Sequence, residues 1–384
     1  MLTRIKILAA IAGTVLSGVC LAQGGAASPD AKPPTPEELR ALPKPSSALS
    51  QHAGPKPPEL KGKENAALTY YKAWDSIDRA VFTDVNQNYK NEPRAKLSAA
   101  HLQALKENQR FVQSIMHATE LDDCDWGVDF EEGPNALLPH LGFLRGSCRF
   151  LGADARRCVE EGDISGAAKR ITAIIRMSAQ ERTDRCLIST LVAVAINQYA
   201  ISVTRNLMTE KTLTPEAAHV VLAALKGLPE DPFGIKSCLD MERNMLHWTK
   251  THFTGEHAGE EFSKEMGQMV GGNDAQYENI KKMDEAAVAA EVDKASKFYD
   301  ELDKLWGRPG VDKEFASLEK RLEAGEFGTI AMIIAPSVSR ANQSGLKAGA
   351  ALQSIEKDLE AYIRGEPVPD PVDPKAATEQ PAKR

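Results

Sequence analysis

Residues 161–175 read Glu161-Gly162-Asp163-Ile164-Ser165-Gly166-Ala167-Ala168-Lys169-Arg170-Ile171-Thr172-Ala173-Ile174-Ile175. Ala167, Ile171, Ile174 and Ile175 recur every three or four residues, the period of one helix face. Asp163 stands where a side chain accepts from the first unpaired N–H groups of a helix, and Gly162 before it is a helix terminator. Upstream, the same period runs from about residue 136 to 161. Downstream it resumes near Asp184 and continues to Met208.

The period holds along most of the chain. Asn65 caps a helix with the stripe Ala67, Tyr70, Tyr71, Trp74, Ile77 and Val81. Ser98 opens another, with Leu102, Leu105, Val112, Ile115 and Met116 on one side. Thr214-Pro215 supplies an N-cap followed by proline at the first helical position, and Gly227 ends that helix. Further helices are expected over about 233–253, 275–306, 311–324 and 337–363. Alternating β-branched runs are absent. The pattern predicts an all-α fold, an antiparallel helical bundle or stacked helical hairpins, with disordered proline-rich ends. The stretch Cys186 to Val203 is apolar enough to resemble a membrane span. Ser189, Thr190, Asn197 and Gln198 interrupt it, so a buried central helix is expected instead.

Composition divides the chain further. Arg4 and Lys6 precede an apolar run to Leu21, and Cys20-Leu21-Ala22 offers small residues at a cleavage site. That layout predicts a signal peptide over 1–22 and an exported protein, periplasmic or extracellular. Val19 is a poor residue before a lipidated Cys20. Losing two bases and no acid takes the formal net charge from −7 to −9. So acidic a body is not expected to bind nucleic acid. Residues 23–61, with nine prolines from Pro29 to Pro58, are expected to be a disordered linker. Residues 62–254 and 274–365 then form two helical units, joined by a mobile loop over 255–273 that carries five glycines. Residues 366–384 are expected to be a disordered tail.

Several motifs carry a family resemblance. Cys124-Asp125-Trp126-Gly127 is followed by Leu138-Pro139-His140-Leu141 and Leu144-Arg145, then by Glu161-Gly162-Asp163 and Leu187-Ile188. That order resembles a family of exported, helix-rich proteins from planctomycete-type bacteria, as do the Asn65-Ala66-Ala67 opening and the Pro336 to Ile363 ending. The resemblance implies export and a helical fold. It implies no activity.

The residues able to carry chemistry are few. Cys124, Cys148, Cys158, Cys186 and Cys238 remain after cleavage, an odd number. In an oxidising compartment Cys186 is expected to bridge to Cys148, or else to Cys124; otherwise all are small buried core residues. The acids Asp122, Asp123, Asp125, Asp129, Glu131 and Glu132 crowd a turn, in an order that does not fit a calcium loop. His247, His252 and His257 fall within eleven residues beside Glu256, and imidazole with carboxylate is a donor set for Zn or Fe. His140, on an otherwise apolar face, is expected to be a satisfied core or interface histidine. Nucleophile-elbow, HExxH and Walker motifs are missing. The expected function is non-catalytic binding of a protein or cell-envelope partner. The alternative is a metal-binding protein or metalloenzyme using His247, His252, His257 and Glu256. No membrane span is expected after signal cleavage, and no cofactor is implied.

Overall fold

A computed structural model of the chain describes residues 64–89, 96–270 and 277–367. The expected signal peptide, the proline-rich stretch 23–61 and the tail beyond 367 lie outside them. The described residues are all-α, with no strand among them. The helices are α1 (Ala66–Ser76), α2 (Arg79–Tyr89), α3 (Ala99–Glu107), α4 (Gln109–Ala118), α5 (Pro139–Glu160), α6 (Ile164–Glu181) and α7 (Leu187–Thr209). They continue as α8 (Pro215–Lys226), α9 (Ile235–His252), α10 (Ala258–Val270), α11 (Glu285–Asp303), α12 (Asp312–Glu323) and α13 (Gly328–Ile363). Short 3₁₀ turns occupy Phe130–Asn135 and Arg182–Asp184.

The caps expected from side-chain chemistry are in place. Asn65, Ser98, Asp163 and Thr214 each accept from a backbone N–H one turn in, at 3.0, 3.1, 2.8 and 3.2 Å. Gly162 takes φ 79°, the left-handed conformation that lets α5 turn back as α6. Two expected helices are broken. Asp78 accepts from the N–H groups of Ala80 and Val81 and so restarts the first as α2. Asn108, at φ −100° and ψ 24°, splits the second into α3 and α4. In the C-terminal part, α13 begins nine residues before Ser337 and runs through Pro336.

The expected mobile loop over 255–273 is corrected: Ala258–Val270 is helix α10. Glycine here serves close packing. A Cβ on Gly259 would lie 1.9 Å from the Ile280 carbonyl oxygen, and the Gly259 N–H donates to Met283 O at 3.0 Å.

The chain divides into two compact units that are discontinuous in sequence, with crossings after residues 126, 139, 235 and 342. This differs from a single boundary at 255–273. One unit holds 127–139 and 236–342; α10 and α12 pack on α11 over a core that includes Phe262, Phe298 and Tyr299. The other holds 64–126, 140–235 and 343–367. In it α1 packs on α4, α6 lies against α7 and α8, and Tyr70, Phe111, Leu144, Phe150 and Ile171 are fully buried. Helix α7 is long and apolar enough to cross a membrane by length and composition, but 67% of its most apolar window is buried in this core. Within the same unit Asp154, with no exposed surface, accepts from Arg157 and Arg170 at 2.6 Å each and from Gln109 at 2.9 Å. It thereby ties α4, α5 and α6 together.

Candidate functional site

Hairpin geometry brings the start of α5 beside the end of α6. Pro139 occupies the first position of α5, where its missing N–H costs nothing, and His140 follows it. Glu181 is the last residue of α6, and Asp184 ends the 3₁₀ turn after it. Arg185 then takes φ 57°, an uncommon left-handed conformation for a residue with a side chain, and the chain enters α7. One ligand atom from each of His140, Glu181 and Asp184 can be chosen so that all lie within 4.8 Å of one another. His140 and Glu181 have no exposed surface, and Asp184 has 6%.

An aromatic wall covers the imidazole. The Trp126 ring stacks on His140, with Tyr70 stacked on Trp126 at 5.3 Å and Tyr71 edge-on to it at 6.1 Å. Trp126 is positioned by Asn65. The Asn65 side chain accepts from the N–H of Ala67 and of Asp125 at 3.0 Å each, and its amide donates to Asp125 O at 2.8 Å. The Ala66 N–H donates to Asp123 O at 2.8 Å. One residue therefore caps α1 and clamps the Cys-Asp-Trp turn. Beside Glu181, Gln180 accepts from the Tyr70 hydroxyl at 2.6 Å and donates to Ala118 O and Leu121 O at 2.9 Å each.

The electrostatics of the triad are unbalanced. Burial opposes a charged imidazole, but the carboxylates of Glu181 and Asp184 overcome it and hold His140 up to about 9. Burial raises Glu181 to about 7, against the pull of His140. Two buried carboxyl groups thus face one imidazolium. His140 Nε2 lies 2.8 Å from Asp184 Oδ2 and 3.4 Å from Glu181 Oε1. By strict geometry neither ring nitrogen nor either Glu181 oxygen is well aligned for a hydrogen bond, although both carboxyl groups lie close to the ring and the Ser189 hydroxyl lies close to Glu181. The short distances therefore describe close ion pairs of imperfect direction, with one atom from each of the three residues converging on a common point. The Ser189 hydroxyl donates to Asp184 Oδ2 at 3.3 Å.

One imidazole and two carboxylates form a nitrogen–oxygen donor set. With ligand bonds of about 2.0–2.2 Å, opposite ligands of one ion lie about 4 Å apart. The convergence here is close to that span. Such donors suit divalent Zn, Fe or Mn and lack the thiolates that select Cu(I) or iron–sulfur clusters. Cys124 lies within the electrostatic reach of Glu181 and Asp184, but burial and those charges push its thiol far up, so it stays protonated.

The residues expected to bind metal are not brought together. His247 and His252 are five apart on α9, about 140° around a helix. The His252 ring stacks on Trp248 at 4.1 Å, with Nε2 3.7 Å from Glu265. His257, largely exposed, sits 3.7 Å from Glu260. Neither His247, His252, His257 nor Glu256 belongs to a converging group of three such ligands among the described residues. Among the acids of the 122–132 turn, Asp129 caps the 3₁₀ turn by accepting from the Glu131 N–H.

The expected disulfide is also corrected. None of the five described cysteines is in a disulfide and all are buried, as small core residues would be. The error is one of register. Because His140 meets Glu181 and Asp184, the start of α7 is level with residue 140, and Cys148 sits about 12 Å further up. There it faces Ala195, Ile196 and Tyr199 rather than Cys186. Its thiol donates to Arg145 O at 3.1 Å, and the Cys186 thiol donates to Ser189 Oγ at 3.2 Å. Cys124 is likewise unbridged.

Glu181 and Asp184 were not expected as site residues, and His140 was expected only as a core residue. A signal existed. Ile171, Ile174, Ser178 and Glu181 continue one buried stripe of α6, and His140, Leu144, Ser147 and Leu151 continue one of α5. Ionisable residues thus occupy core positions on adjoining ends of a hairpin. In comparisons with known proteins, no family model, curated sequence or solved structure matches the chain.

Proposed function

We propose that this protein is a non-catalytic, metal-binding helical protein that holds one divalent transition-metal ion between His140, Glu181 and Asp184. The observation that carries the reading is the convergence of two buried carboxyl groups and an imidazole without aligned hydrogen bonds. An excess buried negative charge is costly unless a cation or a proton compensates it. Because the three side chains are closed to solvent, the ion acts structurally, fastening the end of α6 to the start of α5. The leader-like residues 1–22 and the proline-rich flanks support the rest of the reading: an exported body, tethered so that it reaches a protein or cell-envelope partner.

Metal analysis of protein purified without chelator tests the site. About one equivalent of Zn, Fe or Mn per chain is expected, lost in Glu181→Gln and Asp184→Asn, and retained when His247, His252 and His257 are replaced together. A native protein that contains no metal and takes up none after chelation and dialysis leaves the triad as a proton-sharing cluster and overturns the reading.

A further inference from the structure

Ser98, His101 and Asp84 lie in one hydrogen-bonded line between α2 and α3. Ser98 precedes α3, and its Oγ accepts from the His101 N–H at 3.1 Å as a helix cap. Capping uses one lone pair and leaves the hydroxyl proton free to point at water. Here Oγ also lies 3.0 Å from Nδ1 of the His101 ring, while Nε2 lies 2.8 Å from Asp84 Oδ2. The Asn88 amide donates to Asp84 Oδ1 at 3.0 Å and holds that carboxylate in place. The Tyr89 ring meets the imidazole edge-on, with centroids 5.4 Å apart.

The carboxylate fixes the tautomer. A carboxylate only accepts, so Nε2 carries the proton and Nδ1 is the acceptor. The Ser98 hydroxyl then donates to Nδ1, ahead of the Tyr89 hydroxyl at 3.3 Å. Nucleophile, base and orienting carboxylate therefore stand in the order that activates a serine, with the two ring nitrogens in exchanged roles. Exposure is graded to match. Ser98 faces solvent, where a reagent can reach it, and the His101 side chain beneath is 17% exposed. Ala99 and Ala100 occupy the first turn of α3, where N–H groups lack an acceptor within the helix and can meet charge developing on an oxygen beside Ser98.

The geometry points to Ser98 as an acylation site, a nucleophile that takes the acyl group of a small activated ester with His101 as its base. Oγ bonds to the ester carbonyl carbon, and its proton passes to Nδ1. The bond from that carbon to the leaving oxygen breaks, the leaving group takes the proton from Nδ1, and the acyl group stays on Oγ. Asp84 remains a carboxylate throughout and is a positioning residue. One acyl group is transferred per chain, and neither the His140 centre nor its ion takes part.

Incubation of the full chain with p-nitrophenyl acetate, followed by timed peptide mapping, tests the assignment. Acetylation of Ser98 is expected. Ser98→Asp keeps a helix cap and removes the nucleophile, so the fold should stay and the label at that position should go. The rate at Ser98 is expected to fall about tenfold or more in His101→Ala, and to recover in part when free imidazole is added. Asp84→Asn should slow labelling about threefold, with Asp84→Glu restoring it. Should His101→Ala fail to fold, the two substitutions at exposed Asp84 carry the test. Ser98 left unacetylated, or acetylated equally fast in native protein and in every folded variant that keeps the serine, overturns the proposal.

Discussion

The indole of Trp126 lies flat on the imidazole of His140, with ring centroids 4.5 Å apart and planes within 9°. In the metal-free protein His140 is held protonated by its acidic neighbours, so the contact then places a cation against an aromatic face. Trp126 is also 94% buried, the figure that sets the cost of losing it. Trp126→Ala is expected to destabilise the protein by about 3 kcal/mol, and Trp126→Phe by about 1 kcal/mol. Urea unfolding checks both values. The His140 ring protons, shifted upfield by the indole, should return toward ordinary positions in Trp126→Ala.

The triad also sets a pH dependence, and its sign follows from two raised pKa values. Glu181 rises from 4.5 to about 7, and His140 from 6.5 to about 9. Each group binds its proton more tightly folded than unfolded, so each stabilises the metal-free protein at low pH. The Glu181 part is complete below about 4.5 and is lost as pH rises through 7. The His140 part is complete below about 6.5 and is lost through 9. Chelated protein should therefore have a falling urea midpoint between pH 5 and 9. With metal the trend reverses, because the ion displaces these protons and binds better as pH rises. Glu181→Gln should flatten the lower half of the chelated profile; an unchanged slope there argues against a titrating Glu181.

Local chemistry was legible in the sequence where a single residue decides the outcome. Asn65, Ser98, Asp163 and Thr214 cap helices because each side chain serves N–H groups within one turn. Asp78 does the same, but an unbroken apolar stripe hides it. Long-range relations were legible only in fragments. His140 and Glu181 are 41 residues apart, and nothing local shows that the hairpin brings them together. The Cys148–Cys186 expectation failed for the same reason: helix spacing fixes the direction of a side chain, whereas hairpin register fixes its level. Glycine misled at 255–270, since backbone freedom and close approach leave the same mark in a sequence.

That last point can be tested. Gly259→Ala would force a methyl group against the Ile280 carbonyl, which α10 cannot avoid without moving. A loss of about 2–3 kcal/mol is expected, at the upper end for overpacking. At Gly255, where φ is 82° but no atom lies within 4 Å of a Cβ, alanine should cost about 1 kcal/mol. Limited proteolysis should spare 258–270 in the native protein and cut there in Gly259→Ala. Cleavage in both at equal rates would restore the mobile-loop expectation.

The cysteines give a prediction with no energy attached. All five are buried thiols, and burial pushes Cys148 up to about 12 and Cys158 up to about 11. Thiolate is the reactive form, so alkylation at pH 8 should be slow until the chain unfolds. All five should then react at one rate, set by unfolding. Peptide mapping without reductant should recover Cys148 and Cys186 unlinked; a linked pair would contradict the register of α5 and α7.

Asp154 carries the largest expected penalty for a single substitution. Its carboxylate has no exposed surface and accepts from Arg157 on its own helix, from Arg170 on α6 and from Gln109 on α4. Two guanidinium groups depend on it, and Arg157 is itself 8% exposed. Asp154→Ala therefore removes one charge and leaves two cations with less compensation, the costly way to break a buried pair. Glu161 also pairs with Arg157, so that cation is not wholly abandoned. A loss of about 3–5 kcal/mol is expected, with the urea midpoint as readout. Asp154→Asn keeps the shape and one acceptor and should cost less. Arg170→Met should be milder still, because it leaves Asp154 paired to Arg157 and places an apolar chain where the arginine stem lay. Should Asp154→Ala prove no worse than Arg170→Met, the carboxylate would not be the joint that holds α4, α5 and α6 together.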